Sequence, residues 1–169
     1  MIIDGWAQAA AGQEEAGLAQ LRRGLTAWQA TGAEGYMPYY LGLAADACGK
    51  AGQVEEALTL LTDALARAER TAAHWFEAEL YRLRAEALLS RGEPDGAEVA
   101  FGQDLAVARG QGAKLWELRA ATSLAQLWHD QGRRAEARDL LVPVYGWFTE
   151  GYDTPDLKNA KGLLEELCE

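Results

Sequence analysis

The sequence predicts an all-α array of antiparallel helix pairs, and three observations predict it. The first is a period of 40 residues. Gly12, Gly52, Gly92 and Gly132 share one register, Leu21, Leu61, Phe101 and Leu141 a second, and Leu25, Leu65, Leu105 and Tyr145 a third. A fixed period of this length marks a helical solenoid, whose units bury their apolar faces only against neighbours. The second is a pair of small residues 12 apart in every unit: Gly5 and Gly17, Ala45 and Ala57, Ala85 and Ala97, Ala125 and Ala137. The third is composition. The chain is 49% hydrophobic with only four prolines, it is rich in alanine and leucine, and β-branched residues are scarce. Such a chain favours helix throughout.

The units follow in order as one repeat domain, 1–169. Residues 1–30 form an incomplete first unit, because residues 1–11 align only with the second half of a first helix. That truncation is expected to leave Leu18, Leu21 and Leu25 exposed. Residues 31–70 form the second unit, with helix A over Pro38–Lys50 and helix B over Val54–Arg70. Residues 71–110 form the third. Its helix A spans Ala73–Ser90, with Phe76, Leu80, Leu83, Ala87 and Leu88 on its apolar side. Gly92 ends that helix through a left-handed conformation. Pro94 opens helix B, where a missing N–H costs nothing. Residues 111–150 form the fourth, with helices over Lys114–Asp130 and Arg134–Phe148. In residues 151–169, Thr154 and Pro155 read as a cap and first turn. Leu157, Ala160, Leu163, Leu164 and Leu167 then make the stripe of a capping helix. About seven helices are expected in all.

The period alone would suit a HEAT-type or armadillo-type array equally. The 12-residue spacing separates them. It puts two small residues where antiparallel helices approach closely, with a turn glycine between. Tyr81, Ala85, Leu88, Gly92, Ala97 and Phe101 then resemble the tetratricopeptide repeat (TPR), although a unit of that family has about 34 residues. A further resemblance covers most of the chain. Gly52–Leu58, Trp75–Arg82, Glu117–Leu124 and Pro143–Leu157 are similar to the C-terminal repeats of large bacterial signalling proteins. Those carry a predicted ATPase core, often behind a class III adenylate or guanylate cyclase domain. The resemblance implies the C-terminal regulatory module of such a protein. Neither the cyclase nor the ATPase core lies within these residues.

Charge and motifs narrow the function classes. The net charge of −10 repels phosphate backbones and anionic lipid, so neither nucleic acid nor membrane is an expected partner. No apolar run approaches the roughly 20 residues that cross a bilayer. Residues 1–11 lack the pattern of a secretion signal. Cys48 shares a register with Leu88 and Trp128 and reads as a core thiol. Two distant cysteines fit a reducing cytoplasm.

No catalytic residue, cofactor or metal ligand is predicted. Gly49-Lys50 is followed by Ala51, where a phosphate loop needs Ser or Thr. The pair Gly110 and Gly112 follows no strand. His74 and His129 lack ligand partners at metal spacing. Core packing explains Trp116 and Trp128; Trp28, Trp75 and Trp147 sit near helix ends, where packing against the next repeat is the favoured reading and a partner anchor the alternative.

In TPR-like geometry helix A lines the concave face. The candidate partner-binding residues are therefore Tyr39 and Asp46 in the second unit, with Gly42 and Gly49. They are Glu79, Arg82 and Glu86 in the third, with Leu89, and Arg119, Thr122, Gln126 and His129 in the fourth. Arg82 and Arg119 are the expected polar anchors. The expected partner is a protein or peptide segment, from a separate protein or an adjoining domain. The alternatives are a homodimer through the first unit, a free-standing adaptor and, less favoured, a small-molecule sensor.

Overall fold

The computed structural model describes residues 1–168. Among them are nine α-helices and no strand: α1 (Ile2–Ala10), α2 (Glu14–Gln29), α3 (Met37–Lys50), α4 (Val54–Thr71), α5 (Glu77–Ser90), α6 (Pro94–Gly110), α7 (Lys114–Asp130), α8 (Arg134–Tyr145) and α9 (Pro155–Cys168). The three full units and the cap account for seven of these. The other two come from the first unit, where the short α1, nine residues long, pairs with α2.

That pair corrects one expectation. Leu18, Leu21 and Leu25 are not exposed; they are 3%, 0% and 8% accessible because α1 packs on α2. Glycine makes this cover possible. A Cβ on Gly17 would lie 2.5 Å from the Ala9 nitrogen and 2.6 Å from the Gly5 oxygen. The two backbones therefore meet with no room for a methyl group.

The turn inside each pair repeats one piece of chemistry four times. Gly92 has φ +83°, its N–H donates to the Leu89 carbonyl, and Glu93 N–H donates to the Leu88 carbonyl. These two bonds satisfy carbonyls that the helix end leaves open. Gly12, Gly52 and Gly132 do the same at φ +86°, +74° and +79°. Between pairs, Gly32 and Gly112 are left-handed too, and the residue at that register in the third unit is Ala72, at φ +54°.

Two boundaries differ from expectation. A 3-10 turn, His74–Phe76, precedes α5, so the third helix A is regular only from Glu77. Helix α8 runs past Pro143, which lacks the N–H to Asp139, and stops at Tyr145, three residues short of Phe148, where the bonds tighten from i−4 at Gly146 to i−3 at Trp147 and Phe148. Gly146, Trp147 and Phe148 follow as turns bonded to Val142, Val144 and Tyr145.

The chain divides into two compact units, Met1–Glu93 and Pro94–Glu169. The boundary falls inside the third sequence repeat, between its two helices. Within unit 1 each helix packs on the next in sequence through α5, and α1 on α3 and α3 on α5 besides. Contact between successive A helices is the TPR arrangement. Its core includes Leu21, Met37, Leu61, Ala64 and Leu80, each 1% exposed or less. Within unit 2, α7 packs on α6, α8 and α9. Leu118, Leu141, Leu157, Ala160 and Leu163 share its core, so α9 closes the last pair as a further A helix would.

Candidate partner-binding face

In unit 1 the 40-residue register places equivalent residues of successive A helices side by side. Trp6, Asp46 and Glu86 share one register on α1, α3 and α5. The Trp6 indole N–H donates to Asp46 at 2.6 Å, and Lys50 donates to the same carboxylate at 2.8 Å. The Lys50 ammonium also lies 5.9 Å from the Trp6 ring centroid. Between α3 and α5 is a depression of about 190 Å³ lined by Asp46, Gly49, Lys50, Glu86, Ser90 and the Leu83 edge. Desolvation raises the Glu86 carboxyl above its ordinary value; Arg82 opposes that rise, while Glu79 and Asp46 add to it.

Of the candidate residues in unit 1, the structure thus brings Asp46 and Glu86 together. Glu79 is 8% exposed and receives both Nε and Nη2 of Arg82, at 2.7 and 2.6 Å. The Arg82 Nη1 turns to Glu86. The expected anchor is therefore already held between two carboxylates of its own helix. Gly42 does not line the face at all. A Cβ there would strike Leu80 and Phe76 at 2.8 and 2.9 Å, so α5 lies over it.

Tyr39 belongs to a different group. Its ring stands edge-on to Phe76 at 4.9 Å and tilted to Trp75 and Tyr40 at 5.4 and 5.5 Å. Tyr36 continues the group toward Trp75 at 6.0 Å and toward Tyr40 at 6.3 Å. Trp28 stands edge-on to Tyr40 at 5.0 Å, its indole N–H held by the Ala33 carbonyl. Tyr36 and Trp75 are 57% and 50% exposed. Trp28 and Tyr40 also wall a depression of about 580 Å³ with Ile2 and Ile3. Sequence reasoning singled out Trp75 but missed Tyr36 and Tyr40. Their signal was aromatic residues at the start of α3 and at the matching end of the preceding connector.

In unit 2, Arg119 is likewise engaged. It donates from Nε and Nη2 to Asp156 of α9, both at 3.0 Å, and its guanidinium lies 5.3 Å from the Trp116 centroid. Thr122 bonds back to the Leu118 carbonyl, and Gln126 reaches Asp130 at 2.8 Å. His129 Nδ1 is buried, 3.6 Å from Asp130 and with no hydrogen-bond partner among the described residues. Nearby, Glu98 accepts from Trp128 Nε1 at 2.8 Å and from Arg133 at 2.9 Å, and Arg133 lies over the Trp128 ring at 4.7 Å. Glu117 is buried beneath Lys114 and Arg109, at 2.6 and 2.9 Å. Burial pushes its carboxyl up, but hydrogen bonds from both cations outweigh that and hold it below the ordinary value.

No group of three or more metal-ligating side chains occurs among the described residues. None of the described helices is long and apolar enough to cross a membrane.

The fold and this face define a TPR-like helix-pair protein. A Podosopora anserina chain described as a kinesin light chain with nearly identical TPR-like repeats superimposes with a TM-score of 0.75, and a single-substitution variant of it with 0.76. Each covers 98% of this chain and 82% of that one at 19% identity. BtubC (BKLC) from P. vanneervenii superimposes with a TM-score of 0.70 at 18% identity, over 99% of this chain and 65% of its own. No protein-family model matches. An uncharacterized protein of Rhizobium meliloti (strain 1021) is 32% identical over 128 residues, 75% of this chain. The chain spans only 12% of that relative's length.

Proposed function

We propose that this chain is a non-catalytic interaction module that receives a protein segment on the α3–α5 face of unit 1. The observation that carries the reading is the composition of that face. Exposed rings at Tyr36 and Trp75 stand at one end of α3 and α5, and carboxylates at Asp46 and Glu86 line a depression about three turns further along the same helices. Rigid aromatic anchors beside fixed polar groups are the usual makings of a binding hot spot. The candidates Glu79 and Arg82 hold each other in place beside it. Thr122, Gln126 and His129 of unit 2 belong to a second, more polar helix face.

The wider setting is a regulatory module in a multidomain signalling protein, of the cyclase–ATPase kind that the repeats resemble. The Rhizobium meliloti relative supports a modular reading, since its matching stretch is a small part of a long chain. The segment bound would then come from an adjoining domain and bias the parent between two states.

Selection from a random-sequence peptide library against the full chain tests the reading. Recovered binders should lose most of their affinity to a variant carrying Asp46→Ala and Tyr39→Ala. Binders indifferent to that variant, or no binders at all, would remove the proposal.

A further inference from the structure

The two units place aromatic residues at the same register and surround them differently. In unit 2, Trp116 opens α7, and three residues on Arg119 lays its guanidinium over the ring. The residues eighty positions earlier are Tyr36 and Tyr39. Where unit 2 supplies a cation, unit 1 supplies another ring. Three further indoles in the chain also lie under cations: Trp147 under Lys114 at 5.7 Å, Trp128 under Arg133 and Trp6 under Lys50. Tyr36 and Trp75 instead meet each other, Tyr39 and Tyr40, and keep about half their surface open.

We propose that the exposed faces of Tyr36 and Trp75 receive the guanidinium or ammonium group of a basic segment from a partner protein. The inference rests on the α3–α5 reading and adds the chemistry of the partner. An aromatic face attracts a cation through its quadrupole. Unit 1 as a whole carries the complementary sign, since residues 1–93 hold thirteen carboxylates against eight lysines and arginines. A second basic residue about five positions along an extended segment would reach Asp46 and Glu86, about three helical turns away on α3 and α5.

The probe is a capped Gly-Arg-Gly-Arg-Gly-Arg peptide, and its control replaces each arginine by citrulline, which keeps the shape and removes the charge. Both are titrated calorimetrically into the full chain at about 0.15 M salt, where loose surface attraction is screened. The arginine peptide should bind about ten-fold more tightly than the citrulline peptide. Tyr36→Leu with Trp75→Leu, which leaves net charge unchanged, should lose most of that preference, and Trp147→Leu in unit 2 should lose none.

Equal binding of the two peptides, no binding, or an arginine preference that survives the double substitution would overturn the proposal. So would ring-dependent binding of a neutral proline-rich peptide, or ring-dependent self-association in sedimentation. The neutral-peptide result would leave the interaction face standing, which separates the two failures. If the double variant fails to fold, amide exchange on the wild-type chain decides. Peptide-dependent protection at Tyr36–Tyr40 and His74–Phe76 supports the proposal, and protection confined elsewhere overturns it.

Discussion

In unit 1 the first helix pair meets through Gly5 and Gly17; in unit 2 the last pair meets through Ala125 and Ala137, both fully buried. The register is the same, but the alanine methyl groups fill the space between α7 and α8, whereas α1 and α2 leave none. The short helix α1 thereby covers the apolar side of α2 by close backbone approach. The surfaces diverge in the same way. Unit 2 lays cations over its indoles, and one of them, Lys114, joins Arg109 on the buried Glu117. Unit 1 leaves rings open at Tyr36 and Trp75 and keeps Glu86 exposed beside the Arg82 guanidinium. One repeat pattern thus covers the rings with cations in one unit and leaves two of them half open in the other, because a few register positions differ in residue type.

The largest expected effect comes from forcing the first contact to resemble the last. Gly17→Ala should destabilise the chain by about 3 kcal/mol in urea denaturation, since the new methyl group meets backbone rather than a movable side chain. A loss below about 0.5 kcal/mol would show that α1 and α2 can simply separate.

The left-handed turns give the next effect. Ala72→Gly should stabilise by about 1 kcal/mol, because alanine at φ +54° occupies a conformation that glycine adopts freely. Gly132→Ala, at φ +79°, should cost about as much.

The two shifted carboxylates then separate by pH. Glu117 has a depressed folded pKa, so its contribution is present above the ordinary carboxylate value and lost as pH falls through the folded value. Glu117→Gln should therefore lower the melting temperature at neutral pH and have progressively less effect in acid. Glu86 has a raised folded pKa, so its contribution is present below the ordinary value and lost as pH rises through the folded one. Glu86→Gln should cost little or raise the melting temperature slightly at neutral pH, and that advantage should shrink on acidification. Melting curves from about pH 3 to about pH 7 check both signs.

The smallest effect is kinetic. Cys48 is buried in unit 1 and its thiol is pushed up to about 11, by desolvation first and the nearby Glu56 second, whereas Cys168 at the end of unit 2 is exposed. A thiol reagent at neutral pH should label Cys168 fast and Cys48 only as unit 1 opens.

The sequence carried the helix pairs because periodicity and turn glycines are local. Lys114–Asp130 coincides with α7, Pro155 does open α9, and Cys48 lies in the core. Pro143 lies within α8, and the end of that helix at Tyr145 follows from the tightening of the next turn at Trp147 and Phe148, which no periodicity shows. The site was less readable. Register placed Asp46 and Glu86 on one face, but whether Arg82 and Arg119 were available depended on Glu79 in the previous turn and on Asp156 across the packing of α9. Gly42 looked open because glycine leaves no signal of what lies over it. Tyr36 and Tyr40 join Trp75 only through the turn that brings His74–Phe76 beside α3, a contact that no single-helix pattern contains.

The most direct test of the central claim is amide hydrogen exchange on the full chain, with and without a saturating peptide taken from the library selection. The account predicts slowed exchange in α3 and in His74–Ser90, with α7, α8 and α9 unchanged. Protection centred on α7 to α9, or none anywhere while the peptide is bound, would contradict it.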